Sequence, residues 1–214
     1  MPAAMVRAVQ HLVEPTLLVC LAMACHASQP LDSSPSSQPT KSQDAPVQPT
    51  SAPEHGANMT LSLGSSAFEH NQEIPSQYTC EGADRSPPLS ISGVPPQTKS
   101  LALIVDDPDA PDPKAPKRTW VHWVLYDLPP DTQALAEGTQ QLPAGTRQGK
   151  NDWGKTGYGG PCPPIGRHRY VHKLFALDTE LGELGEPTKA ELENSMQSHI
   201  IAKAEVIGTY QKKK

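Results

Sequence analysis

Between Gly159 and Tyr170 the chain gathers the side chains best suited to chemistry: His168 and Tyr170, with Arg169 between them, behind the loop Gly159-Gly160-Pro161-Cys162-Pro163-Pro164. Glycine lets backbone N–H groups approach a ligand closely, and proline stiffens the loop that presents them. An imidazole, a phenol and bare amides together form a donor-rich rim, which suits a small anion such as phosphate. The apolar run Val171–Leu177 that follows reads as a strand. Its two-residue alternation puts His168 and Tyr170 on one face at the strand's start and Arg169 on the other.

Two further places set polar groups at the ends of apolar runs. Asp107 and Asp109 follow Leu101–Val105 in an Asp-Pro-Asp turn, and His122 stands between Trp120 and Trp123. Taken singly, each has an ordinary structural role: aspartates cap turns, and a histidine among tryptophans is satisfied by one hydrogen bond. Asp107, His122 and His168 are also the residue types of a metal centre or of acid–base catalysis. No Glu-rich motif and no Gly-x-Ser-x-Gly elbow accompanies them, so the expectation is a binding site without metal, cofactor or catalysis.

These groups need a scaffold. Met59–Leu63 alternates apolar and polar as a half-buried strand does, and the Pro- and Gly-punctuated stretch Ile74–Pro95 predicts short extended pieces separated by turns. Leu101–Val105 is continuously apolar, as in a strand covered on both sides. Thr119–Leu128 reads as another strand, with Trp120, His122 and Val124 opposite Val121, Trp123 and Leu125. A helix is predicted from Thr188, spaced as a capping box with Glu191, with Leu192, Met196 and Ile200 as its apolar stripe; the stretch to Tyr210 returns as a strand. The fold class is therefore mainly β with peripheral helices. Aromatic residues make up only 5% of the chain and prolines number 24, which argues against a helical bundle. A net charge of −5 argues against a nucleic-acid partner. Lys212-Lys213-Lys214 reads as a solvated chain end, with a membrane or nucleic-acid contact as the alternative.

The 214 residues divide into three segments. Residues 1–27 carry Arg7 and the apolar run Thr16–Ala24, which is the pattern of an export signal and too short to span a bilayer. Cys25 follows at once, so the segment also fits a lipoprotein signal, and the protein is expected to be exported, periplasmic or lipid-anchored to the envelope. Residues 28–56, rich in Pro, Ser and Gln, have little to bury and read as a disordered linker. Residues 57–214 form the domain.

In order and spacing, Asp107-Pro108-Asp109-Ala110-Pro111, Trp120-Val121-His122-Trp123 and Gly160-Pro161 through His168-Arg169-Tyr170 resemble the phosphatidylethanolamine-binding protein family, most of all its bacterial Raf-kinase-inhibitor-like branch. Tyr78-Thr79-Cys80-Glu81-Gly82, Ser86-Pro87-Pro88-Leu89 and Gly208-Thr209-Tyr210 extend the resemblance over about Leu61–Tyr210, with Ile91 standing where a tryptophan is usual. The resemblance implies a large antiparallel sheet packed on a smaller one. It also implies a surface pocket for a phosphate-like anion or a phosphoethanolamine head group, together with regulation of a protein contact; inhibition of a kinase or protease is the alternative. By matching motif, Asp107, His122, Gly160, Pro161, His168 and Tyr170 would touch the ligand, while Asp109, Trp120 and Arg169 support the site. Asp107 would repel a dianion unless a proton is shared or the ligand brings an ammonium. Eukaryotic relatives gate this pocket with a C-terminal helix; here the chain stops at Lys214, so a more open pocket is expected. Cys80 and Cys162 are the only cysteines within the domain. In an oxidising compartment they would pair and lock the rim, the other reading being two separate buried thiols.

Overall fold

The structure, a computed structural model, describes residues 60–213; the segments read as an export signal (1–27, with Cys25) and as a linker (28–56) lie outside the described residues. Nine strands and one α-helix follow in the order β1 Ser62–Gly64, β2 Gln72–Glu73, β3 Leu89–Ser92, β4 Ser100–Asp107, β5 Trp120–Leu128, β6 Ala134–Leu135, β7 Arg147–Gln148, β8 His168–Leu177, α1 Lys189–Met196 and β9 Ile200–Tyr210. The strands form a three-stranded sheet, β1-β3-β6, and a six-stranded sheet, β2-β9-β8-β4-β5-β7. The larger sheet is not wholly antiparallel: its edge strand β2 runs parallel to β9. Asn71, at φ 66°, turns the chain just before that two-residue strand.

Alternation along β4 divides the interior. Leu101, Leu103 and Val105 join Leu63, Leu89, Ile91 and Leu135 of the small sheet in one buried cluster. Ala102 and Ile104 face the other way and join Leu192 and Met196 of α1 in a second. Full burial of one such leucine contributes about 1.5–3 kcal/mol. Carried two residues further, the same alternation sends Asp106 toward the helix and Asp107 toward the opposite face. Asp106, fully buried, accepts from Lys173 Nζ at 2.7 Å and from Lys189 Nζ at 2.6 Å, which ties α1 to the sheet. Burial pulls the Lys189 pKa down, but the bond to Asp106 and its charge outweigh this, so the ammonium is held above its ordinary value.

The helix starts as its capping box predicts. Thr188 Oγ1 accepts from Glu191 N, and Thr188 N donates to the Glu191 carboxylate at 2.8 Å. Ile200 is a correction to the apolar stripe: the helix ends at Met196, His199 N donates back to Met196 O, and Ile200 opens β9. The faces of β5 need a second correction. Val105 pairs with Trp123 and Asp106 with Val121, so His122 is the extra residue of a β-bulge. The bulge resets the alternation: Val121 shares the helix-side cluster with Val124, while Trp123 and Leu125 face the small sheet.

Candidate functional site

Beyond the ends of β4, β5 and β8 lies a cavity of about 340 Å3. Asp107 and Tyr170 reach it from strands, His122 from its bulge, and Trp120 from the start of β5. Ala110 and Pro111 wall one side; Trp153, Cys162, Pro163 and Pro164 wall the others. The floor is polar and the walls are mostly apolar.

His122 donates from Nδ1 to the Gly159 carbonyl at 2.6 Å, which leaves Nε2 with a lone pair. The ring meets the rings of Trp153 and Tyr170 edge-on, with centroids 5.2 and 5.1 Å away. Burial pushes its pKa below the usual histidine value, against the opposing pull of Gly159 and Asp107, so the ring is neutral at pH 7. Tyr170 is 1% exposed, and its hydroxyl has no hydrogen-bond partner. Burial, then the neighbouring Asp107 charge, hold that hydroxyl far above its ordinary range, so it remains a donor. The Trp120 indole N–H is likewise buried without a partner.

Asp107 is fixed by two bonds: Oδ1 accepts from Asp109 N at 2.8 Å, and Oδ2 accepts from His168 Nδ1 at 2.7 Å. His168 lies between two acceptors, since its Nε2 donates to the Ile165 carbonyl at 2.9 Å. Asp109 takes three bonds from Arg169: backbone N at 2.9 Å, Nε at 3.0 Å and Nη2 at 2.6 Å. The Arg169 guanidinium holds the Asp109 carboxyl below the usual carboxylate range, so this brace is charged at neutral pH. It clamps the loop after β4 to the start of β8.

Three residues expected to touch ligand are placed elsewhere. His168 is fully buried beneath the cavity, because both of its nitrogens are spent on Asp107 and Ile165. The Gly160 amide does not face the cavity; it donates to Asp84 Oδ1 at 2.7 Å. A Cβ at Gly160 would come within 2.5 Å of the Tyr78 carbonyl oxygen, so glycine is required there for close passage of two backbones. Pro161 turns inward, and its carbonyl accepts from Cys80 N at 3.1 Å. Cys80 and Cys162 are joined by a disulfide, with Cα atoms 5.4 Å apart. Both cysteines are exposed, and Cys162 itself lines the cavity.

Trp153 is the wall residue that the motifs did not single out. Asn151, 5% exposed, holds it up by accepting from Trp153 N at 3.0 Å, and Gly159 leaves room for its ring. A tryptophan amid glycines and polar residues, outside any strand, was the available signal. Among the described residues no group of three or more His, Cys, Asp or Glu could hold a metal ion. His168 and His172 share the four-residue spacing of a helical metal pair, but on a strand that spacing separates them by about 13 Å.

The profile of the phosphatidylethanolamine-binding protein family matches residues 64–211. A UPF0098 protein of Methanothermobacter thermautotrophicus is 46% identical over 155 residues, covering 71% of this chain and 99% of that protein. A UPF0098 protein of Chlamydia trachomatis is 45% identical over 152 residues, again 71% of this chain and 99% of the relative. Among solved structures, a putative phosphatidylethanolamine-binding protein homolog from Chlamydia trachomatis superposes with a TM-score of 0.68 at 44% identity, over 72% of this chain and 99% of that one. E. coli YbcL, described as a member of the mammalian family, gives 0.65 at 33% identity over 72% of this chain and 99% of its own. With two sheets and one α-helix among the described residues, and this match over most of them, the chain belongs to the phosphatidylethanolamine-binding protein family.

Proposed function

We propose that the cavity binds, without catalysis, a phosphomonoester of the phosphoethanolamine type. The observation that carries this is the Tyr170 hydroxyl, a buried donor without a partner on the wall of an open cavity. Leaving such a group unpaired costs about 1–3 kcal/mol, which a ligand acceptor recovers. The other polar groups refine the class. Asp107 and the His122 Nε2 lone pair accept, whereas the Tyr170 hydroxyl and Trp120 N–H donate. A bare dianion would meet the Asp107 charge. A phosphomonoester carrying its own proton or an ammonium answers donors and acceptors together, and the apolar walls take the rest of the molecule.

Tyr170→Phe tests this with little disturbance, because it removes one oxygen that makes no bond within the fold. Affinity for O-phosphoethanolamine, measured by calorimetry on the purified protein, should fall by about 1.5–3 kcal/mol, while folding stability stays level or rises. Unchanged affinity in the folded variant would refute the assignment.

A further inference from the structure

Trp123 follows His122 in β5, but it lies on the wall of a different cavity, of about 390 Å3. Small-molecule sites run from about 300 to 1,000 Å3. Three loops, around residues 83–86, 138–142 and 156–158, enclose this second cavity, and Gln148 of the edge strand β7 completes it. Trp123 is 2% exposed, and its indole N–H has no hydrogen-bond partner among the described residues. An indole N–H buried this deeply ordinarily has one.

The loops around it are tied down. Gly138 N donates to the Ser86 carbonyl at 2.9 Å, and Glu137 accepts from both Arg85 and the Tyr78 hydroxyl. Asn151 Nδ2 donates to the Gly157 carbonyl at 3.0 Å, and the Tyr158 hydroxyl to the Tyr78 carbonyl at 3.0 Å. The lining is polar without favouring either sign of charge. Arg85 is matched by Glu137, and Asp84 accepts from Gly160 N with Oδ1, which leaves lone pairs on Oδ2 for a ligand. A carboxylate beside a guanidinium suits neither an anion nor a cation. Ser86, Thr156 and Gln148 can each donate and accept, while Leu142 and the Tyr158 ring supply a small apolar part.

We propose that this second cavity binds an uncharged saccharide. A sugar hydroxyl donates and accepts at once, so a single ring can take the Trp123 N–H, donate to Asp84 and pair with the hydroxyls and the amide around it. Its C–H edges then rest on Leu142 and Tyr158. An apolar ligand would bury those polar groups without partners. The backbone of Gly159 and Gly160 joins the two cavities: the carbonyl of the first holds His122, and the amide of the second is held by Asp84. What fills the first cavity has no bearing on this assignment.

The chain has 3 tryptophans, and their indole N–H resonances in the isotope-labelled full chain read the two cavities separately. Trp120 and Trp153 line the first cavity and Trp123 the second. Glucose, galactose and N-acetylglucosamine are titrated in turn. At least one should move the Trp123 resonance to saturation with a Kd on the order of 1 mM, usual for a one-ring ligand, and leave Trp120 and Trp153 in place. Asp84→Asn keeps an acceptor for Gly160 N and tolerates the φ of 52° at that position. It should weaken the saccharide about tenfold, the share of a hydrogen bond to a charged group, and Gln148→Ala should weaken it about fivefold. Tyr170→Phe, in the first cavity, should change nothing. If none of the three sugars moves Trp123, or if all three indoles drift together without saturating, the proposal is overturned. A saturable shift that ignores both Asp84→Asn and Gln148→Ala overturns it too.

Discussion

His172 lies mid-strand in β8, 1% exposed, against Phe68 at a ring-centroid distance of 5.5 Å. Its Nδ1 donates to the Tyr170 carbonyl at 3.2 Å, and its Nε2 is buried without a partner. Burial, the dominant cause, lowers its pKa from 6.5 to about 4. The folded protein therefore resists a proton that the unfolded chain accepts readily. Above pH 6.5 both states are neutral here and stability is unaffected. As pH falls below 6.5 the unfolded chain is protonated first, and stability drops by about 1.4 kcal/mol per pH unit. The loss reaches about 2 kcal/mol at pH 5 and levels off near 3 kcal/mol below pH 4. His122, also lowered by burial, pulls the same way, so the slope of the parent protein alone does not isolate His172. The comparison with His172→Phe does, since phenylalanine keeps the contact with Phe68 and removes the titration. Urea unfolding of both proteins at pH 7 and pH 5 should show the variant gaining about 2 kcal/mol on the parent over that interval. Parallel pH dependences would show that His172 is accommodated with its charge, and the burial argument would fail.

Replacing both Cys80 and Cys162 by serine frees two positions 82 residues apart, and the denaturant midpoint should reflect a loss of about 4 kcal/mol by loop-closure entropy; an unchanged midpoint would contradict it. Asp106→Ala leaves Lys173 and Lys189 facing a buried position without a counter-charge, and should cost about 3 kcal/mol in thermal or urea unfolding. A cost under about 1 kcal/mol would mean that the two ammonium groups simply swing out to water.

Local periodicity carried most of the scaffold. The capping pair Thr188 and Glu191 located the start of the helix, though not its end, and the apolar run Leu101–Val105 located a strand buried along its whole length. Both signals sit within a few residues of what they specify. Features that depend on partners far along the chain were not legible. The bulge at His122 exists because β4 and β5 shift register between Val105 and Asp106, and nothing in Trp120–Leu128 alone shows an extra residue. That shift nevertheless decides which way the histidine points. The Gly160 amide is taken by Asp84, 76 positions earlier, and His168 by Asp107, 61 positions earlier.

These distant pairings change the chemistry of the site. With residue types alone, two histidines and a glycine amide make a cationic, donor-rich anion hole. In the fold one histidine stands behind Asp107, the amide is occupied, and the other histidine is neutral with a lone pair outward. The cavity that remains accepts as well as donates. A ligand that only accepts would leave the His122 lone pair unmatched and meet the Asp107 carboxylate as well. The selectivity of the site should therefore rest on the ligand's own proton or ammonium, not on negative charge alone.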